Sequence, residues 1–401
     1  MRSWHGIALA FALACAGGAG PALGVESCEL NGQRVNPNNG NTTAGKSGLM
    51  RCRDGDGGPV VREQELQGGA FRGAVRYYKD GQLDKEYRVN ERGNRDGVAR
   101  EYARGEAGAK PVLVREETYW DGRTIGLARI WHPNGQLRRV AFHGDDDREL
   151  ASAEFTADGK LYELRCGPRA VLGGDADDAR WCGHVGGPSN VVLHSGKGVA
   201  KARVSYERGE RRKSELLGDG GAVREVQEAS ASGGVERSFY ADGVKRREVQ
   251  WVVATGDRAG RVTTLDQEFH ESGKLVRERR WRVVDRGGEL ASEQHWYLNG
   301  QPKERTEYVV ADGRSLRQET TYHDNGKKAF EGSWRVAAPA SRSRETATGV
   351  HRSFDEAGRL RGERFYDERG RVTRERELDG SGNVVRDDEV FEDGSRKAYG
   401  K

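Results

Sequence analysis

Hydrophobic side chains are scarce in this sequence: only 35% of its 401 residues are hydrophobic, whereas 32% are charged. Globular domains usually contain about 45–50% apolar residues, so one large hydrophobic core is excluded and an extended or repetitive fold is favoured. Proline is also rare, with 9 residues, while 8 Trp, 13 Tyr and 10 Phe supply more rings than a disordered chain carries. We therefore expect a folded chain with a thin core.

An excess of one charge is missing as well. The 67 Lys and Arg residues nearly balance the 63 Asp and Glu residues, which leaves a net charge of +4, and both signs mix in stretches such as residues 277–280. Phosphate binding requires a one-sided basic surface, so no nucleic-acid partner is expected. Cross-strand ion pairs are the predicted role of these charges.

Long hydrophobic runs are absent. A bilayer span needs about 20 apolar residues, so the mature chain is predicted to have no transmembrane span. The apolar run 7–14 follows a basic residue and precedes small residues, which is the pattern of a cleaved secretory signal over residues 1–24. This predicts a periplasmic or secreted protein. The alternative is an outer-membrane lipoprotein with Cys15 as acceptor, although Ala12 stands where such signals usually carry leucine.

Cysteine is rare too, and without Cys15 the mature chain has an even set of four: Cys28, Cys52, Cys166 and Cys182. An even set is typical of disulfides in an exported protein. Of the three possible pairings, closeness in sequence favours Cys28 with Cys52 and Cys166 with Cys182. Each disulfide is expected to add about 3 kcal/mol to the free energy of unfolding. Zinc is the alternative, but no Cys-x-x-Cys occurs and His184 stands alone near the last cysteine.

One pattern recurs at least nine times: an aromatic residue, three residues that usually end in a turn former, and a glycine four positions after the aromatic. The glycines are Gly81, Gly135, Gly159, Gly243, Gly273, Gly300, Gly326, Gly358 and Gly370. Asn-Gly and Asp-Gly are typical of type I′ hairpin turns, in which both residues have positive φ. The pattern predicts hairpins with a period near 26 residues, and wider turns where Ser272 and Ala357 replace Asn or Asp.

A single hairpin is too small to fold alone, so neighbours are expected to pack their rings into a narrow continuous core. The predicted fold class is all-β: an elongated antiparallel sheet of repeated β-hairpins with disulfide-clipped irregular segments. The predicted order is a signal peptide (1–24), a disulfide-clipped N-terminal cap (25–65), hairpin repeats (66–164), a disulfide loop insertion (165–190) and further hairpin repeats (191–401).

Two segments, GLARIWHPNG at 126–135 and GVHRSFDEAG at 349–358, resemble MORN-type repeats, and residues 97–102 are a partial copy. The likeness is closer to the bacterial variant in exported proteins often called YwqK-family antitoxins, and it covers about residues 66–164 and 191–400. The resemblance implies a MORN-like hairpin fold. For function it implies a range that includes scaffolds, lipid binders and toxin-neutralising proteins.

Candidate catalytic and metal-binding patterns are few. Three histidines follow the repeat aromatic, and exposed turn positions explain them better than a row of metal ligands or acid–base groups; they are His132, His270 and His323. The acidic groups at 145–147 and 175–178 lack EF-hand spacing, and neither a Gly-x-Ser-x-Gly nor a Walker pattern occurs. We therefore predict no enzyme activity, no metal and no cofactor.

These features favour a non-enzymatic exported protein that binds another protein, with immunity or antitoxin action against an exported effector as the most specific form. An envelope scaffold or adaptor on a lipid or peptidoglycan surface is the second hypothesis, for which a membrane surface is a partner. A carbohydrate-binding module is the third, because six tryptophans could stack on sugars, although repeat aromatics are first expected in the core. They are Trp131, Trp181, Trp251, Trp281, Trp296 and Trp334.

Overall fold

The computed structural model describes residues 26–104, 109–254, 260–284, 287–311, 313–336 and 345–400. The predicted signal peptide (1–24) and Cys15 lie outside these residues. The all-β prediction is confirmed, because the described chain consists mainly of antiparallel strands joined as hairpins, with two four-residue α-helices. Within the described ranges no helix is both long and apolar enough to cross a membrane.

The chain divides into two compact units between Leu150 and Ala151. In the first unit β1 lies between β2 and β3, and β3 to β10 pair in chain order. Six residues form a small core at its beginning: Cys28, Leu30, Val35, Met50, Cys52 and Leu66. The elements are β1 (Glu26–Leu30), β2 (Gln33–Val35), α1 (Gly40–Thr43), β3 (Gly48–Asp54), β4 (Val60–Gln67), β5 (Ala70–Lys79), β6 (Gln82–Val89), β7 (Gly97–Ala103), β8 (Val112–Trp120), β9 (Arg123–Trp131) and β10 (Leu137–His143).

Strand β11 (Glu149–Phe155) begins two residues before the boundary and forms a hairpin with β12 (Leu161–Arg165). In the described residues of the second unit, helix α2 (Asp178–Trp181) follows, and then seventeen strands, β13 to β29, pair in chain order. The seventeen strands are β13 (Val191–His194), β14 (Ala200–Glu207), β15 (Glu210–Leu217), β16 (Val223–Ala229), β17 (Gly233–Phe239), β18 (Lys245–Ala254), β19 (Gly260–Phe269), β20 (Leu275–Val284), β21 (Gly287–Trp296), β22 (Pro302–Ala311), β23 (Arg314–Tyr322), β24 (Lys328–Arg335), β25 (Thr346–Phe354), β26 (Leu360–Tyr366), β27 (Val372–Leu378), β28 (Val384–Val390) and β29 (Arg396–Ala398).

Most repeat turns differ from the predicted type I′ geometry. The Gly135 N–H donates to the His132 carbonyl (2.9 Å), and only the glycine of the Asn134-Gly135 pair has positive φ. This is a type I turn closed by a left-handed glycine, which bulges the following strand. The type I′ prediction is therefore wrong here and at Gly159, Gly243, Gly300, Gly326 and Gly394; it is correct for Asp80-Gly81, where both residues have positive φ.

The same geometry explains why two substituted turns are not wider. The Gly273 N–H donates to the His270 carbonyl (2.8 Å), and the Gly358 N–H donates to the Asp355 carbonyl (2.8 Å), as in the other repeat turns. The residue before the glycine has ordinary negative φ in a type I turn, so serine or alanine fits there. The expectation of wider turns at Ser272 and Ala357 is wrong.

The first residue of several turns bonds to the next repeat. The Tyr240 and Tyr297 hydroxyls donate to the carbonyls of Phe269 and Tyr322, both at 2.9 Å. The His323 Nε2 lies 3.1 Å from the Phe354 carbonyl, and this side chain is half-buried. The prediction of exposed turn histidines therefore holds for His270 but is wrong for His132 and His323, which are both half-buried.

Replacing Gly326 with valine is expected to lower the free energy of unfolding by about 1–2 kcal/mol, because φ is +82° and a branched side chain is strained there. His323→Ala should cost about 1 kcal/mol through the lost bond to Phe354. Urea unfolding checks both. Gly380→Ala is the matched control, since Gly380 has no positive φ and no neighbour within 3.5 Å of an added Cβ. Equal stability of Gly326→Val and the control would contradict the turn assignment.

Candidate interaction surfaces

One face of the first unit carries a row of alternating arginines and glutamates, one from each of seven consecutive strands. Members on neighbouring strands are direct partners in register, and their charged atoms lie 2.9–3.8 Å apart. We call it the arginine–glutamate row: Arg51, Glu63, Arg76, Glu86, Arg100, Glu116 and Arg129. It matches the ion-pair role predicted for the mixed charges.

Tyrosines complete this row. The Tyr78 and Tyr102 hydroxyls donate to Glu63 (2.9 Å) and Glu86 (2.8 Å). Burial and the bond to Glu86 raise the pKa of Tyr102 to about 12. Burial alone would raise the pKa of Glu63, but the hydrogen bonds that this carboxylate accepts from Arg51 and Tyr78 hold the pKa below its ordinary value. Both carboxylates are therefore occupied by neighbouring donors, which suits sheet stabilisation better than proton transfer.

The opposite face of the same strands carries aromatic rings and cations in contact. The Arg62 guanidinium lies 5.6 Å from the Tyr77 ring centre, Tyr77 stacks on Tyr87 at 6.4 Å, and Arg95 lies 4.6 Å from Tyr87 and 5.4 Å from Tyr119. The Lys85 ammonium lies 4.7 Å from the Tyr77 ring. We call this set the cation–π stack: Arg62, Phe71, Tyr77, Lys85, Tyr87, Arg95 and Tyr119.

The cations of the two faces differ in their partners. Each arginine in the arginine–glutamate row has a glutamate within 4 Å. Within the part of the chain that the structure describes, no carboxylate is found at ion-pair distance from Arg62, Lys85 or Arg95. The cations of the cation–π stack are therefore held against rings rather than in direct ion pairs.

The second unit continues the pattern of paired charges. Five residues from β24 to β28 are consecutive partners in register, with charged atoms 3.0–3.3 Å apart. They are Glu331, Arg352, Glu363, Arg376 and Asp387. Glu363, at 8% exposure, is the most buried carboxylate of this set.

Four rings on the other face of the second unit form what we call the His351 cluster: Phe330, Trp334, His351 and Tyr366. The His351 ring centre lies 4.5 Å from Trp334 and 4.4 Å from Tyr366, and the side chain is 6% exposed. A Cβ at Gly332 would lie 2.8 Å from the Phe330 ring and 3.0 Å from the His351 ring. The glycine therefore makes room for the cluster.

Acidification is expected to destabilise the second unit through His351. Burial lowers the pKa of this imidazole below its ordinary 6.5, with Arg317 and Arg364 acting in the same direction against the bond to the Ser333 carbonyl and the charge of Glu319. The unfolded chain therefore binds more protons, so the stabilisation is complete above about pH 6.5 and is lost as the pH falls through the folded-state pKa. The measurement is urea unfolding at pH 7.5 and 5.0.

His351→Phe should show a smaller loss between these two pH values than the parent, because it keeps a ring but does not titrate. The exposed His270→Ala is the control and should keep the parent's dependence. An unchanged dependence in His351→Phe would contradict the assignment.

Both disulfides are present with the favoured pairing, Cys28 with Cys52 and Cys166 with Cys182. Disulfides persist in oxidising compartments, which indicates a periplasmic or extracellular environment. The zinc alternative at His184 fails because both nearby cysteines are bonded to each other. Among the described residues, the one group with metal-ligand geometry contains Cys28 and Cys52, whose sulfurs are likewise occupied.

The tryptophans and acidic residues named in the sequence analysis contact different groups in the structure. The Trp181 ring centre lies 6.1 Å from that of Phe155, the Trp251 ring centre lies 4.7 Å from the Arg261 guanidinium, and Trp334 belongs to the His351 cluster. The Asp178 carboxylate accepts from the backbone N–H groups of residues 171 (2.7 Å) and 172 (3.0 Å). These hydrogen bonds tie helix α2 to residues 171 and 172 of the preceding loop.

No protein-family model matches this sequence, and no curated protein matches it. The chain is similar to part of the solved TcdB2-TccC3-Cdc42 structure, with 13% identity over 92% of this chain and 19% of that chain, at a TM-score of 0.18. It is also similar to a porin-like protein from Bacteroides uniformis ATCC 8492, with 9% identity over 52% of this chain and 85% of that chain, at a TM-score of 0.17. The chain thus spans about a fifth of the first structure's length, and similarity this low carries no functional argument. The MORN-type resemblance stays a prediction.

Proposed function

We propose that this is a non-enzymatic exported protein whose first unit binds a partner protein through the cation–π stack. Export would use the cleaved signal over residues 1–24. The observation that carries the proposal is the row of rings and unpaired cations on one face of the first sheet. Tyrosine and arginine are the residues that most often dominate binding energy at protein interfaces.

The geometry of the stack favours binding at low entropic cost. Tyr77 and Tyr87 are half-buried on neighbouring strands and stack on one another, and Arg95 is held between two rings. Side chains fixed before binding lose little rotamer freedom when a partner arrives. Trp120, 53% exposed and under Arg123 at 5.2 Å, adds a further ring in the same unit.

The charges of the stack specify the partner's chemistry. Among the residues that the structure describes, no carboxylate lies at ion-pair distance from Arg62, Lys85 or Arg95, so an acidic protein surface would complement them. Complementary charge also increases the rate of association. Immunity or antitoxin action against an exported effector is the most specific form of this proposal and rests on the resemblance to MORN-type repeats.

The test is capture from the envelope fraction of the native cell, followed by affinity measurement with the purified partner. Arg95→Ala and Tyr87→Ala are each expected to weaken binding at least tenfold, as hot-spot residues do. Arg76→Ala is the matched control, because Arg76 lies on the opposite face of the same sheet and is already paired with Glu63 and Glu86. Parent-like binding by both stack variants would refute the proposal.

A further inference from the structure

A shallow hollow lies on one face of β24 to β27, beside the His351 cluster. Its floor consists of Ser353 and Gly362, which are partners in register. Phe330 is the partner of Ser353 on the strand to one side, and Glu377 is the partner of Gly362 on the strand to the other side. Two small residues between two large ones leave a gap two strands wide, roughly 10 Å, and the cavity has a volume of about 320 Å³. This volume lies at the lower end of the range for small-molecule sites.

The ring wall of the hollow is fixed in advance. Phe330 meets His351 edge to face at 5.7 Å, and Tyr366 lies 4.4 Å from the same imidazole. The Nε2 of His351 is bonded to the Ser333 carbonyl at 2.8 Å, which fixes the ring that the other two contact. An apolar ligand face could therefore stack here without reordering the wall.

The two carboxylates of the polar wall are already paired with arginines. Glu375 is bonded to Arg364 at 2.9 Å and to Arg396 at 2.6 Å, and Glu377 lies 3.9 Å from Arg386. An ionic ligand would meet no uncompensated carboxylate in this wall. The carboxylate oxygens and the Ser353 hydroxyl still have free capacity to accept hydrogen bonds from hydroxyl groups.

We propose that this hollow binds one hexopyranose ring of a neutral glycan. A sugar ring has one face of C–H groups, which suits the Phe330 and Tyr366 wall, and a rim of hydroxyls, which suits Ser353, Glu375 and Glu377. Gly362 is required because a side chain there would occupy the space of the ring. The site lies in the second unit, so it is separate from the cation–π stack and can be tested independently of it.

The experiment is isothermal titration of the full mature chain with cellopentaose, maltopentaose and chitopentaose. At least one of these oligosaccharides is expected to bind the parent protein. Gly362→Leu should weaken that binding at least tenfold by filling the floor. The substitution fits the backbone because φ is not positive, and the nearest atom to an added Cβ is the Ser353 Oγ at 3.0 Å.

Gly196→Leu is the matched control, since it adds the same side chain to a turn of the same unit where φ is not positive and no neighbour lies within 4 Å of an added Cβ. It should bind like the parent. Ser353→Leu fills the hollow from the neighbouring strand and should repeat the loss seen with Gly362→Leu. Circular dichroism melting establishes that each variant is folded. Failure of all three oligosaccharides to bind at millimolar concentration, or parent-like binding by both filled variants, would overturn the proposal.

Discussion

Replacing Asp266 with alanine is expected to lower the free energy of unfolding of the second unit by about 3 kcal/mol. Asp266 is 3% exposed, and Arg247 holds both its oxygens (2.8 and 2.9 Å) while Arg279 donates to one of them (2.8 Å). Burial alone would raise the pKa of this carboxyl, but the two arginines hold it below its ordinary value. Removing one partner of a buried ion pair costs about 3–5 kcal/mol, and partial exposure of the guanidinium groups places the loss at the lower end.

The control is an exposed ion pair in the same unit. Glu210 lies 2.7 Å from Arg212 but is 67% exposed, so Glu210→Ala should change the free energy of unfolding by less than about 0.5 kcal/mol. Equilibrium urea unfolding measures both variants. If they lose equal stability, burial does not distinguish the two ion pairs and the explanation given for Asp266 is wrong.

The hairpin architecture could be predicted because its signal is local. The glycines of the repeat occupy positions of positive φ, as Gly135 and Gly326 do, and the spacing to the preceding aromatic residue is constant. The turn type was not predictable from the Asn-Gly dipeptide alone. It depends on how many residues separate the last paired positions of the two strands, and the register shift after Leu137 shows the extra residue in one case.

The residues of the cation–π stack and of the His351 cluster were not predicted, because these sets depend on pairing between residues far apart in sequence. Arg62 and Tyr77 become neighbours through the register of β4 and β5, whereas Arg95 reaches its two tyrosines from a loop. One local signal was available for the His351 cluster: glycine between the two aromatics in the segment F-E-G-S-W (330–334). In a strand such a glycine marks a close approach by another group, here the His351 ring.

Removing the Cys28–Cys52 disulfide by double alanine replacement is expected to lower the free energy of unfolding of the first unit by about 4 kcal/mol. The cross-link joins positions 24 residues apart, which corresponds to about 3 kcal/mol of chain entropy. The two side chains are 2% and 0% exposed and belong to the same core cluster as Leu30, Met50 and Leu66, so lost packing adds roughly 1 kcal/mol. Urea unfolding of the oxidised parent and the variant measures the difference.

The Cys166–Cys182 disulfide should act locally instead, and this contrast is the sharper test. It joins the end of β12 to the residue after α2, and hydrogen bonds within that segment, such as Cys182 N–H to the Asp178 carbonyl (2.9 Å), depend on the helix staying in place. The segment also bonds to the end of β14 and to the turn after it, because the Ser189 N–H donates to the Tyr206 carbonyl (2.8 Å) and the Gly209 N–H donates to the Cys182 carbonyl (2.8 Å). The pairing of β15 with β16 and of all later strands uses backbone bonds outside the segment. Cys166→Ala/Cys182→Ala should therefore increase amide hydrogen exchange in residues 167–190 and at the end of β14, and leave β16 to β29 protected. Equal loss of protection across those strands would show that the segment and the sheet unfold as one cooperative unit.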